Sequence, residues 1–343
     1  MKDIIKVSLV IIGTMIGAGF ASGQEIGLFF NRYGIAGLIG IIVSSILTGL
    51  IINKVFSILQ KKQIHTYIEL LALLSKNTKM NKIIQIIILL FLLISFYIMV
   101  AGFCAYFAQE WKMPIIISAI LMAILCYITF HKDIQGVLSV NNILMPLLIL
   151  FIFYLGSKNL TFSVTFFTQG ANLQIENTWI RGVFSSILYA SYNSILLIPM
   201  LIELSPYINT KKKIKRTSLI CSTILGILGI LLFCLLLRGN GYIQAVELPM
   251  LQIVKEFGKI YPWIYGLVII AAIFTSCISA GYGFLTNIAK TPETYQKLAI
   301  LLCATSILIA PIGFSNLVTT TYPFFGILGL AQIFLLFKYN GNK

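Results

Sequence analysis

The chain has 343 residues, of which 59% are hydrophobic and only 10% charged, against roughly 25% charged residues in a soluble domain. Lipid, not water, is therefore the solvent for most of it. The formal charge of +15 invites a nucleic-acid reading. That reading fails once the apolar runs are threaded alternately through a membrane, because 18 of the 25 Lys and Arg then fall on one side and seven on the other, the positive-inside distribution of a membrane protein.

Apolar runs long enough for a helix to cross a ~30 Å hydrocarbon core, about 17 to 25 residues, recur with short polar breaks and leave no room for a separate soluble domain. They predict ten spans at about 4–30, 35–57, 83–109, 114–130, 136–156, 180–203, 217–237, 261–288, 297–311 and 314–337. The runs are continuously apolar, so helices and not the alternating strands of a membrane barrel are expected. Ten crossings put both termini on one side, the cytoplasmic one by the charge rule, in the cell membrane. The run Lys211, Lys212, Lys213, Lys215 and Arg216 is the strongest anchor.

Span one opens with Lys2 and Lys6, which imitate the start of a signal peptide; nine further spans favour an uncleaved helix. It contains GTMIGAGFASGQE, with Gly13, Gly17, Gly19 and Gly23 and the polar residues Thr14, Ser22, Gln24 and Glu25 at depths that favour Leu and Ile. Small residues at four-residue spacing also serve close helix packing, but packing does not call for Ser-Gly-Gln-Glu. An interrupted helix is expected here. An unwound turn exposes backbone groups that lipid cannot satisfy, so it persists only where it lines a cavity or binds something. Glu25 is costly at membrane depth and is a candidate gate; Arg181 and Arg238 are the topologically possible partners.

In span three, Tyr97 precedes Ala101, Ala105 and Ala108 at about one-turn steps, which makes it either a hydroxyl reaching a bound solute or a lipid-facing tyrosine. Span five carries no Lys at its middle. The polar stretch 157–178 then divides the chain into five spans before it and five after. An odd number per half gives the halves opposite topology, so the expected architecture is one integral membrane domain with inverted repeats of about 1–156 and 179–337. In such proteins the binding site lies near the midplane between the repeats.

Span six, the counterpart of span one, holds YASYNS, residues Tyr189 to Ser194, at mid-membrane. A second interruption is expected there, with Tyr189, Ala190, Ser191 and Asn193 at the site. Span eight places Ala272, Thr275, Ser276 and Ser279 on one helical face. Hydroxyls and freed carbonyls are hard neutral ligands that suit a small alkali cation better than a transition metal; Ser and Thr in membrane helices also commonly bond back to their own backbone. All six cysteines lie within spans without metal-ligand spacing and read as packing residues.

With these residues the chain resembles the amino acid–polyamine–organocation superfamily, which includes the bacterial leucine transporter and the neurotransmitter:sodium symporters, and more closely the bacterial YkvI-type membrane proteins. The resemblance covers the whole length, including the segment 246–257. It implies the leucine-transporter fold: an all-α membrane protein with a 5+5 inverted repeat and broken helices 1 and 6. In the sodium-coupled branch a G-x-x-x-G-x-G run in helix one pairs with A-x-x-T-S in helix eight, and here those residues are Gly13, Gly17, Gly19 and Ala272, Thr275, Ser276. The resemblance thus implies a sodium site from the carbonyls of Gly13, Ile16 and Ala272 and the hydroxyls of Thr275 and Ser276. It further implies an amino-acid carboxylate at the amides of Gly17, Ala18 and Gly19, with its ammonium facing carbonyls around Tyr189 to Ser191.

The chain departs from the neurotransmitter branch after the glycines, where that branch has a basic gate residue and this one has Gln24 and Glu25. The function implied is a sodium-coupled symporter for a small amino acid or related zwitterion, needing no cofactor besides the coupling ion. A proton-coupled permease and an amino-acid receptor of the spore-germination type are the rivals. Motifs of hydrolytic enzymes such as HExxH and GxSxG are missing from the sequence, which speaks against an enzyme.

Overall fold

The computed structural model describes residues 2–131, 135–159, 178–239 and 246–339. Among the described residues all regular structure is helical. The first span is three pieces, α1 (Lys2–Met15), α2 (Ala18–Ser22) and α3 (Gln24–Phe29), and a short turn leads to α4 (Gly34–Lys62). The first half continues with α5 (Tyr67–Leu74), α6 (Thr78–Trp111), α7 (Ile115–Phe130) and α8 (Gln135–Lys158). The second holds α9 (Thr178–Leu204), α10 (Lys211–Arg238), α11 (Pro249–Lys255), α12 (Tyr261–Ile288), α13 (Pro292–Ile309) and α14 (Phe314–Lys338).

Seven helical stretches among the described residues are long and apolar enough to cross a membrane, and α7 and the later part of α8 are shorter apolar helices. Of the first span, α3 is counted with α4 in the stretch Gln24–Lys62, while α1 and α2, cut short by the break, fall outside that set. Most of the polar stretch 157–178 lies outside the described residues.

Side chains are sorted as lipid demands. On α7, Ile116, Ile120, Ile124 and Ile128 face outward at four-residue steps, while Ser118, Ala119, Met122, Ala123 and Cys126 face the bundle. The helix starts follow local chemistry: Asn77 caps α6, Thr291 and Thr294 form a capping box on α13, and Pro occupies the first turn of α11, α12 and α13, where its missing N–H costs nothing. The basic run expected ahead of span seven is instead helical, the first turns of α10. Thr210 caps it by accepting from the Lys213 amide.

Contacts at the two ends of the bundle fix which segments lie together. At one end Lys213 pairs with Asp3 at 3.0 Å, Lys54 donates to the carbonyl of Tyr339 at 2.8 Å, and Leu71 on α5 packs with Ile84 and Leu335. The first described residues, the last described residues and the basic segments therefore share one end. At the other end α11 is tied to α6 by Lys255 and Glu110 at 2.6 Å, and Glu256, just after α11, to the end of α10 by Arg238 at 2.9 Å.

Span six differs from expectation. The helix α9 runs without interruption through Tyr189 to Ser194, so the anticipated second break is not there. Its polar groups are satisfied without unwinding: Ser194 bonds back to the Ser191 carbonyl at 2.7 Å, Asn193 to the Tyr189 carbonyl at 3.0 Å, and Ser191 reaches across to the Gly326 carbonyl on α14 at 2.6 Å. Glycines on α14 make that crossing possible. A Cβ at Gly329 would sit 2.5 Å from the carbonyl oxygen of Ser191, and one at Gly326 would sit 2.9 Å from that of Leu188.

Candidate functional site: the broken first span

The regular hydrogen bonding of span one stops at Ile16, whose amide still bonds to Ile12, and resumes when the Ala21 amide reaches Gly17. Gly17 between them is extended, with φ −84° and ψ −172°, and no side chain caps α2. No backbone amide among the described residues bonds to the carbonyls of Gly13 or Ile16, so the break leaves acceptors at the end of α1 and donors at the start of α2. A second interruption follows at Gly23, whose φ of +84° ends α2 and turns the chain into α3. Both interruptions lie within the protein: α2 and α3 are buried throughout.

Glu25 on α3 folds back over this turn. It is 3% exposed. Its carboxylate lies against the α-carbon of Gly19, where an added Cβ would sit 2.8 Å from its Cγ and 2.9 Å from its Cδ. The Tyr192 hydroxyl donates to its Oε2, and the Phe20 amide faces the carboxyl as well. The sequence left the partner of Glu25 open, with Arg181 and Arg238 as topologically possible ones; Arg181 is exposed, and Arg238 is engaged by Glu256 and by Asn159 at 3.2 Å. Around Tyr192 the rings of Phe29, Tyr189 and Tyr322 close in with centroids 5.5, 5.5 and 4.8 Å away.

Of the residues anticipated for the cargo site, Gly17, Ala18 and Gly19 are thus at the break, and Tyr189 and Ala190 lie buried on the facing helix. Ser191 and Asn193 are buried too, but their polar atoms are spent on Gly326 and Tyr189. Because α9 is unbroken there, its carbonyls around Tyr189 to Ser191 belong to the helix ladder. Tyr97 points elsewhere: its hydroxyl meets Thr305 of α13 at 2.9 Å, on the span-nine side of α6. Beside the break, a cavity of about 20 Å³ is lined by Met15, Phe20, Ser44, Thr48 and Tyr189 among others, room for about one water molecule.

The face of α12 that carries the anticipated ion ligands is graded in depth. Ala272 and Thr275 are buried, Ser276 is half-buried and Ser279 is exposed. The Thr275 hydroxyl bonds back to the Ala272 carbonyl at 3.2 Å and Ser279 to the Thr275 carbonyl at 2.8 Å. The helix packs on α2, and its Tyr265 hydroxyl donates to the carbonyl of Ala21. Gln24 fastens the same span to the segment before α11 through the carbonyls of Val246 and Glu247, each at 3.0 Å. Glu247 in turn accepts from the Ser315 amide at the start of α14. Tyr265 and Glu247 went unnoticed in the sequence, where a tyrosine in a span and an acid in a loop carry no signal of their own, and Tyr192, although part of the YASYNS run, was not among the residues named for the site.

No family model matches the chain. It is similar to the uncharacterized membrane protein YkvI of Bacillus subtilis, 29% identical over 329 residues covering 96% of this chain and 93% of that one. The uncharacterized protein YyaD of the same organism is 24% identical over 338 residues, covering 97% and 96%. Among solved structures, a mutant form of the manganese transporter of Eremococcus coleocola superposes with a TM-score of 0.61 at 16% identity, covering 96% of this chain and 77% of that one. A Na+-coupled sialic acid symporter in a substrate-bound outward-open state superposes with a TM-score of 0.57, also at 16% identity and with the same coverage. The chain is therefore a multi-pass helical membrane protein with the fold of these transporters.

Proposed function

We propose that the chain is a secondary active transporter that works by alternating access, as a sodium-coupled symporter for a small amino acid or related zwitterion. The observation that carries the reading is the break at Ile16 and Gly17. It frees peptide groups inside the bundle, where lipid cannot satisfy them and a bound solute, an ion or cavity water compensates them.

The helix contacts support a five-plus-five inverted repeat. Exchanging span one with six, two with seven, three with eight, four with nine and five with ten maps the main contacts onto one another. Span two packs on six as seven packs on one, six on ten as one on five, eight on five as three on ten, and three on four as eight on nine. The pairs two with seven, three with eight and four with nine map onto themselves and are all in contact. With the basic end cytoplasmic, both termini lie inside the cell.

In this reading sodium is held by the carbonyls of Gly13, Ile16 and Ala272 with the hydroxyls of Thr275 and Ser276, a donor set of neutral oxygens that suits an alkali cation. One cation entering across 100 mV supplies about 2.3 kcal/mol, more than tenfold accumulation before any sodium gradient is counted. The cargo meets the buried turn of α2 and the ring face of Tyr189. The test is uptake of a panel of radiolabelled amino acids into proteoliposomes with sodium or potassium outside. Sodium-dependent accumulation is expected. Binding without movement of label would instead assign a receptor.

A further inference from the structure

Glu25 is a buried carboxyl that the sodium reading leaves without a task. Everything that faces it is neutral. From α9 come Tyr189 and Tyr192 and from α14 comes Tyr322. On α10 Leu236 lies against Gly23, and the titratable Arg238 lies at that helix's end, paired with Glu256. Arg32, in the turn after α3, is exposed and stacks on Tyr33. None of the ion pairs among the described residues includes Glu25.

An ionised carboxylate enclosed in protein at membrane depth, with no cation beside it, is unfavourable; it takes up a proton or a cation. The immediate surroundings of the carboxyl choose between these. The groups that touch the carboxyl, the Tyr192 hydroxyl and the Phe20 amide, offer hydrogens, whereas a cation would call for further oxygens. A protonated carboxyl still accepts such bonds.

We propose that Glu25 is a proton-binding site of this protein. The carboxyl carries the proton while α3 is packed against Gly19 and Tyr192. It gives the proton up to water when the first span parts from α9, so one proton is exchanged with solution for each closing and opening of this contact. The inference uses the transport reading only to say when the contact opens; the protonation itself stands apart from the sodium ligands on α1 and α12.

The test uses the full chain in lipid vesicles and the proton itself as probe. Infrared difference spectra between acid and alkaline pH are expected to show the stretch of a buried protonated carboxyl that is absent in Glu25→Gln. Tyr192→Phe, which keeps the carboxyl and removes its donor, is expected to shift both the frequency and the pH midpoint of that band. This second variant serves if Glu25→Gln does not fold. In wild-type vesicles the rate of labelled amino-acid uptake should change with external pH, and Glu25→Gln should flatten that profile at whatever rate it retains. A titrating band without any uptake would overturn the transport reading and leave the proton site standing. Uptake with the same pH profile in Glu25→Gln, or the absence of any carboxyl band sensitive to these two substitutions, would overturn the proton site.

Discussion

The carboxylate of Glu25 lies on the α-carbon of Gly19, so the glycine at the start of α2 provides the seat on which an acid six residues later rests. The two positions are therefore expected to be coupled. Gly19→Ala should cost about 1 to 3 kcal/mol by overpacking, and Glu25→Ala should remove much of that cost in the double variant. Thermal unfolding in detergent of the four proteins of this cycle measures the coupling. Additive effects would mean that Glu25 does not occupy this seat.

Tyr192→Phe removes the hydroxyl that donates to Glu25 and leaves a buried acceptor short of a partner. A loss of about 1 to 3 kcal/mol is expected, visible as a lower midpoint of thermal unfolding. Tyr97→Phe, by contrast, breaks only the bond to Thr305 on the span-nine side. It should leave uptake of any transported amino acid within about twofold of wild type, a loss of about 0.4 kcal/mol or less of transition-state stabilisation.

Gly23 combines a left-handed backbone with close neighbours, since an added Cβ would sit 2.9 Å from both Leu236 and Met250. Gly23→Ala should destabilise by about 1 to 2 kcal/mol from the backbone alone, with packing adding to that. Gly17→Ala meets open space and no positive φ, so it should fold with nearly wild-type stability. Comparing the two by thermal unfolding separates a glycine required by geometry from one that is not.

Thr275→Ala with Ser276→Ala removes the two hydroxyls assigned to sodium. Uptake should lose its sodium dependence while the protein keeps its fold, because both side chains are small. Uptake measured against external sodium concentration checks this; an unchanged profile would place the ion elsewhere.

The first break was legible in the sequence because Gly13, Gly17, Gly19 and Gly23 stand among polar residues at a depth where lipid penalises both features at once. The polar cluster of span six looked the same and behaves differently. Serine and asparagine can satisfy themselves by bonding back one turn, and Ser191 finds Gly326 on a helix 135 residues away. The partner of Glu25 was hidden for the same reason: Tyr192 lies 167 residues along the chain, and periodicity says which face a residue occupies but not what meets it. Tyr97 shows the converse, a correct span with the wrong neighbour.

The seam between α9 and α14 has backbone on both sides, with the Ser191 carbonyl oxygen set against Gly329 and the Leu188 carbonyl against Gly326. Neither helix has side-chain slack there to roll or slide on the other, and a turn of either would drive a carbonyl into an α-carbon. Under the proposed alternating access, spans six and ten are therefore expected to move as a single strut, with the pivot at the three short pieces of span one, where the chain already bends.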